Sequence, residues 1–483
     1  MEITTKSGRS NFDAVVIGSG PNGLAAAIVL AQAGHSVVVF EGHSTIGGGM
    51  RTSELTLPGF KHDVCSTIHS VGVISPFFQS LPLDRFGLEW IFSPVETAHP
   101  LEHGEAALLY RSVDKTAENL GPDGPAYRRI FQPLTNHYNQ IVQDLLGPLP
   151  LPPHHPLAMA RFGIYAIRSA RNLAQGLFKT ERTQALIAGF GGHSIQPLED
   201  LSTAGVALTL MGSAHAGGMP MAKGGSQSIA DALSAYFCSL GGVIVTNQPI
   251  RKFDDLPPAK AYLFDTSPRD LVKICGDRLP GRYQKALQRF RYGPGVFKID
   301  YALDGPVPWD ASECMQAATV HVGGTFQEIA QSEREAWKGI HSQKPFVLVV
   351  QTSLFDPSRA PQGKQTLWAY CHVPNGSTVN MTEQIEMQIE RFAPGFRQRI
   401  LARHTYNSME MEAYNANYVG GDIIGGVQNL RQLFFRPTIS LNPYKTPAKG
   451  IYLCSASTPP GGAVHGMCGY YAAKAALKSE FSE

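Results

Sequence analysis

Short, unbroken apolar runs recur along the chain, too continuous for half-exposed strands. Ala14-Val15-Val16-Ile17 is the first and Val37-Val38-Val39-Phe40 the second. Such runs suit parallel strands buried on both faces. Between them Leu24, Ala27, Ile28 and Ala31 recur at helical spacing, and Gly34 stands where a helix ends. The alternation returns later, with a helix over 228–240, a Gly241-Gly242 break, a strand at Val243-Ile244-Val245-Thr246 and a buried run from Ala261 to Thr266. A last run, Gly450 to Ser455, leads through Thr458-Pro459-Pro460-Gly461-Gly462 into a C-terminal helix reaching about Lys478.

Two stretches break this rhythm. Over 79–200, helical patterns alternate with proline-rich breaks, the plainest at Gly147 to Pro153, and an inserted, mainly helical region is expected. Pro156 to Phe178 reads as one amphipathic helix in which Arg161, Arg168 and Arg171 alternate with Phe162, Ile164, Ile167 and Leu173. Such a helix either lies on a membrane surface or, more commonly, sets one face on the core and its arginines in water. Over 291–440 the runs at 296–303, 319–322, 346–350 and 366–373 are richer in β-branched residues, so a mixed sheet is expected. A helix over 382–392 ends at Pro394-Gly395. Tyr414 to Asp422 is a polar, glycine-rich loop expected to border a cavity.

The turn after the first apolar run is Gly18-Ser19-Gly20-Pro21-Asn22-Gly23, which fits G-x-G-x-x-G. Gly18 permits a tight turn, Gly20 lets a pyrophosphate approach the backbone, and Gly23 lets the helix pack on the strand. Glu41 closes the second strand about twenty residues on, where a carboxylate accepts hydrogen bonds from ribose hydroxyls. With no basic residue beside it, this acid argues against a 2′-phosphate. A second glycine run, Gly47-Gly48-Gly49-Met50-Arg51, follows the ribose position and suits a larger dinucleotide lying extended across the domain.

These motifs resemble the signature of the phytoene desaturase, amine oxidase and related flavoprotein superfamily. The stretches GPGVFKIDYALDGPVPW and STPPGGAVHGMCGYYAA, and the near absence of a hairpin between Thr246 and Ala261, are similar to its phytoene-dehydrogenase-like branch. The resemblance implies an α/β fold: a discontinuous, Rossmann-like FAD-binding domain (10–78, 201–290 and 441–483), a helical substrate or lid region (79–200), and a substrate domain with a mixed β-sheet (291–440). It implies non-covalent FAD. Gly42, Gly48, Gly49, Met50 and Arg51 would lie along the cofactor and Ile250 at its adenine end. Pro460, Gly461, Gly462, Val464, His465 and Met467 would lie near the flavin, where a helix start favours the negative charge of the reduced ring.

Composition narrows the classes. A chain of 483 residues with 43% hydrophobic and 17% charged residues is globular and long enough for two or more domains. A net charge of +2 gives no electrostatic case for nucleic acid. The sixteen histidines show no paired metal spacing, so no metal site is expected. Seven scattered cysteines, never in C-x-x-C, read as free thiols in a reducing compartment. Met1 to Asn11 lacks an apolar core of a secretory signal, and no run of eighteen apolar residues exists. The expected location is cytoplasmic, with peripheral membrane contact left open.

The chemistry implied by the resemblance is oxidation, or desaturation, of a C–H bond in a hydrophobic substrate of isoprenoid or lipid type by hydride transfer to flavin N5. O2 or a quinone is the simpler electron acceptor, because no second dinucleotide fingerprint is present. His465 is the first candidate for a base, with Tyr414 and His69 behind it, and ordering of the helix start is the commoner role for His465. Cys468 is read as packing rather than as a covalent anchor. Two alternatives stay open: a flavin amine or alcohol oxidase acting on a small polar substrate, and a non-catalytic protein keeping the fold to bind a lipid or partner. The sequence names neither substrate nor oligomeric state.

Overall fold

The computed structural model describes residues 11–148 and 152–482. The sequence reading of the N-terminal ten residues, and part of the proline-rich break at 147–153, lie outside them. Five strands form a parallel sheet in the order Ile451–Leu453, Ala261–Phe264, Ala14–Ile17, Val37–Phe40, Val243–Val245. The four residues of each of the first two strands along the chain are buried, as continuous apolar runs require. Between Val245 and Ala261 the chain makes only a single turn at Phe253–Asp255.

The helix Pro21–Gln32 covers this sheet and packs on the closing helix Met467–Glu480. Their contact is closest at Gly469, where an added Cβ would stand 1.8 Å from the Asn22 carbonyl oxygen. No residue larger than glycine fits there without moving a helix.

The second sheet has seven strands in the order Ile400–Tyr406, Gly295–Leu303, Gln365–Val373, Val347–Val350, Ala317–Val322, Val95–Pro100, Ala106–Leu109. All neighbours are antiparallel except Ala317–Val322 beside Val95–Pro100. The hairpin 95–109 therefore belongs to the mixed sheet, although the sequence reading put it in a helical region. Glu96, Thr97 and His99 mask this strand, because their polar groups are buried and need distant partners. Glu96 accepts from the Met219 N–H, and His99 Nε2 pairs with the Gly324 carbonyl at 2.7 Å.

Two further boundaries differ. The helix Thr203–Gly217, apolar on all sides, packs with the helices Glu181–Gly192 and Pro156–Ala166 rather than on the parallel sheet. The expected single helix over 156–178 is two helices, Pro156–Ala166 and Ala170–Leu177. Ser169 causes the break: its Oγ accepts the Asn172 N–H at 3.1 Å and caps a new helix.

Candidate functional site

The first strand ends at Gly18, whose φ of 98° suits glycine alone. Gly20 follows with its Cα facing a carboxyl: an added Cβ would lie 2.7 Å from Asp265 Oδ2. Gly23 sits tighter still, its added Cβ 2.0 Å from the Gly18 carbonyl oxygen, so it joins helix to strand and stays out of the cavity. Gly18, Ser19, Gly20, Pro21 and Asn22 line a cavity of about 640 Å³. That size lies within the usual range of ligand pockets, roughly 300–1,000 Å³.

One part of the cavity is formed by Glu41, Gly42, His43, Gln248 and Ile250, another by Gly48, Gly49 and Arg51. Cys65, Ser66 and Ile68, with Tyr418, Ile423, Gly462 and Val464, complete it from the start of the second glycine run's excursion and from the C-terminal half. Met50 is buried in the core, and Pro460, Gly461, His465 and Met467 stand outside the lining.

Glu41 is 6% exposed, and four donors converge on its carboxylate. Oε2 accepts from the Ser19 N–H at 3.1 Å and from Ser19 Oγ at 2.5 Å. Oε1 accepts from the His43 N–H at 2.9 Å and from Arg51 Nη2 at 3.1 Å. The hydroxyl and the guanidinium are side-chain donors whose places on the carboxylate ribose hydroxyls can take. Arg51 also donates from Nε to the Thr45 carbonyl at 3.0 Å and lies under the Tyr414 ring. The arginine thus folds back onto the acid instead of reaching along the second glycine run.

The three candidate bases all sit off the cavity lining. His465 is buried, and its Nδ1 accepts the Met467 N–H at 3.0 Å, so it caps the closing helix. Burial pushes it down to about 4, so the ring is neutral and Nε2 carries the proton, without a hydrogen-bond partner among the described residues. His69 Nε2 lies 2.9 Å from Ser226 Oγ, which itself donates to the Ser66 carbonyl; the histidine is therefore the donor. Burial pushes His69 to about 4 as well. Tyr414 ends the helix Ser408–Tyr414, and burial raises its phenol to about 12. The loop after it, Asn415 to Tyr418, does line the cavity.

Several participants were not singled out by sequence. Asp265 follows the strand Ala261–Phe264, lines the cavity, and accepts the Gly23 N–H on Oδ2 at 2.9 Å. Burial, reinforced by Glu41 and opposed by that hydrogen bond, raises it to about 7. Its signal was present, an acid just past a buried strand facing the glycine turn, but nothing local in sequence brings the two together. Asn417 fastens this corner: its Oδ1 accepts the Ser267 N–H at 2.8 Å and its Nδ2 donates to the Asp265 carbonyl at 2.9 Å. Arg436, fully buried, donates to the carbonyls of Gln432, Val427 and Ala456, tying the approach of the closing segment to the cavity wall.

Behind Cys65, a buried ion pair joins Lys298 to Asp300 on the mixed sheet, with Lys298 5.9 Å over the Trp368 ring. His62 Nδ1 lies 3.7 Å from Asp300, and burial among cations pushes that histidine to about 3. Cys468 donates weakly to the carbonyls of Thr458 and Gly461, and burial raises its thiol to about 12. Among the described residues no group of His, Cys, Asp and Glu is placed to hold a metal ion, and all seven cysteines are free. No helix among them is long and apolar enough to cross a membrane.

The donor set fits an extended dinucleotide. The glycines leave backbone exposed at the helix start, the acid stands at the ribose position, and the cavity continues well past both. Comparison with known proteins agrees. Residues 16–81 match the NAD(P)-binding Rossmann-like domain. The rat pyridine nucleotide-disulfide oxidoreductase domain-containing protein 2 is 25% identical over an alignment covering 96% of this chain and 93% of that protein. The neurosporene-forming phytoene desaturase of Rhodobacter capsulatus is 23% identical, covering 94% and 92%. A solved putrescine oxidase shares the fold, with a TM-score of 0.61 at 17% identity, covering 97% of this chain and 99% of that one. The chain is a homologue of pyridine nucleotide-disulfide oxidoreductase domain-containing protein 2 and of the carotenoid desaturases, an FAD-type oxidoreductase on the fold that amine oxidases share.

Proposed function

We propose that the chain binds FAD non-covalently and desaturates an apolar substrate, of isoprenoid or lipid type. One observation carries this reading: His465, His69 and Tyr414 all lie outside the cavity lining, while Ile68, Ile423 and Val464 lie within it. An apolar wall holds a hydrocarbon and excludes water, and desaturation asks little more of the protein than position and dryness. Bound FAD would supply the hydride acceptor. Ser19, Glu41 and the glycine turn would hold its ribose and pyrophosphate, and Gly462 and Val464 would border its ring. The neutral thiols of Cys65, raised by burial, and Cys468 support a non-covalent cofactor.

A second reading is an amine or alcohol oxidase. The observation favouring it is the buried Lys298–Asp300 pair, close enough to Cys65 for its charge to act on that thiol. The two readings separate in an anaerobic reduction assay on the FAD-loaded protein. Bleaching of the flavin band by terpenoid or fatty hydrocarbons, but not by primary amines or alcohols, is expected. Bleaching by amines or alcohols alone would reverse the order of the two.

A further inference from the structure

Two carboxyl groups face the glycine turn, and their surroundings differ. Glu41 has both oxygens occupied by donors, one of them the Arg51 guanidinium. Asp265 has a single donor: its Oδ2 accepts the Gly23 N–H at 2.9 Å. Its Oδ1 has no hydrogen bond among the described residues, yet it is not sealed in the interior. That oxygen opens on the cavity, which Asp265 lines. The charge that acts on this carboxyl is Glu41, of like sign, and no cation among the described residues pairs with it.

The fold fixes Asp265 at the place where a pyrophosphate approaches the backbone. A Cβ added at Gly20 would lie 2.7 Å from its Oδ2, and one added at Gly18 would lie 3.2 Å from its own Cβ. The Asp265 N–H donates to the Ile17 carbonyl at 2.8 Å, and its carbonyl accepts from Asn417 Nδ2 at 2.9 Å. Its backbone is thus held on two sides. A dinucleotide seated on this turn brings a second anion against the carboxyl. Were Asp265 ionised, two like charges would meet in a buried site with no cation between them, which is costly. Protonated, the same group has an O–H donor on the oxygen that faces the cavity.

We propose that Asp265 holds the cofactor as a neutral carboxylic acid, donating from Oδ1 to a pyrophosphate oxygen, so that binding takes up a proton from solvent wherever the empty site is ionised. The coupling presupposes FAD in the cavity, as read above. Burial and Glu41 raise the empty site to about 7 against the Gly23 hydrogen bond. Below that pH the carboxyl already carries its proton and affinity is flat. Above it each FAD bound must bring the proton back, so affinity falls. The neighbouring groups do not change charge between about pH 7 and about pH 9. Cys454, beside the last parallel strand, and Cys468, on the closing helix, are thiols raised by burial and stay neutral. His43 is lowered by burial and by Arg51 and is neutral as well. Glu41 is paired with Arg51, and on the helix Pro268–Cys275 Lys273 is paired with Asp270 at 2.9 Å.

The test is titration of the full-length apoprotein with FAD from about pH 6 to about pH 9, read by flavin fluorescence, with a melting curve at each pH to show folded protein. The dissociation constant is expected to be level below about pH 7 and to rise roughly tenfold per pH unit above it. Asp265→Asn keeps an acceptor for the Gly23 N–H and donates from Nδ2 in place of the O–H. Its profile is expected to be level throughout, with tighter binding than wild type at the alkaline end. Calorimetry at about pH 8 in two buffers of different ionisation enthalpy is expected to show about one proton taken up per FAD by the wild type and none by the variant. The wild-type calorimetry needs no variant and decides where Asp265→Asn melts below the wild type. FAD binding that is level with pH and takes up no proton would overturn the proposal and leave the FAD reading intact. The same slope in Asp265→Asn would also overturn it, by giving the proton to another group. No FAD binding at any pH would overturn the FAD reading and the proposal with it.

Discussion

Asp265 places a carboxyl group against the turn that receives a pyrophosphate. Burial raises it from 3.8 to about 7. Between those values the folded chain holds a proton that the unfolded chain has released. Its contribution to stability is therefore greatest at low pH and is lost as pH rises through about 7. A shift of this size corresponds to ~4 kcal/mol as an upper figure. Asp265→Asn keeps an acceptor for the Gly23 N–H and cannot ionise. Its stability relative to wild type is expected to improve steadily from acid to neutral pH, read by urea unfolding of the apoprotein. Parallel pH profiles would show that the carboxyl does not titrate in this range. Gly49→Ala is argued from space instead: its Cβ would lie 2.5 Å from Tyr418 Oη in the cavity wall. FAD affinity is expected to fall at least about tenfold, ~1.4 kcal/mol, in a fluorescence titration, with little change in the melting curve.

At the level of elements, the closing helix and the phosphate-turn helix depend on one contact. Gly469→Ala sets a methyl group 1.8 Å from the Asn22 carbonyl oxygen, an overpacking that costs about 1–3 kcal/mol. The expected result is a lower urea midpoint with an unchanged slope, and weaker FAD retention because Asn22 lines the cavity. An unchanged midpoint would mean that the helices separate freely. These helices and the parallel strands were legible in sequence, because local pattern and tertiary role agree there: Val37-Val38-Val39-Phe40 is buried on both sides and looks it. Val95–Pro100 was not legible. Its Glu96 and His99 read as surface residues, and only Met219 and Gly324, more than a hundred residues away, make them tolerable inside a sheet. Ile400–Tyr406, half-buried at the sheet edge, likewise carries Arg403 and His404 in place of a clear alternation.

On the scale of the whole molecule, the cavity is assembled from pieces that sequence alone keeps apart. The glycine turn and Glu41 were legible because one short βαβ unit holds them. Asp265 and Asn417 were not, since each acts on a partner far along the chain, and Arg436 was not, since its partners are backbone carbonyls that no side-chain pattern marks. The histidine singled out by its place in the closing segment accepts the Met467 N–H at the start of the closing helix, the commoner role expected for it. Substrate identity lives in the same long-range contacts, at the wall shared by Cys65, Ile423 and Val464. Every proposed step of the chemistry depends on the dinucleotide cavity. The most direct test is the visible absorption spectrum of the purified protein, followed by analysis of the cofactor released on denaturation. A flavin spectrum with stoichiometric FAD in the supernatant is the expected result. A colourless protein that takes up no added FAD would contradict it.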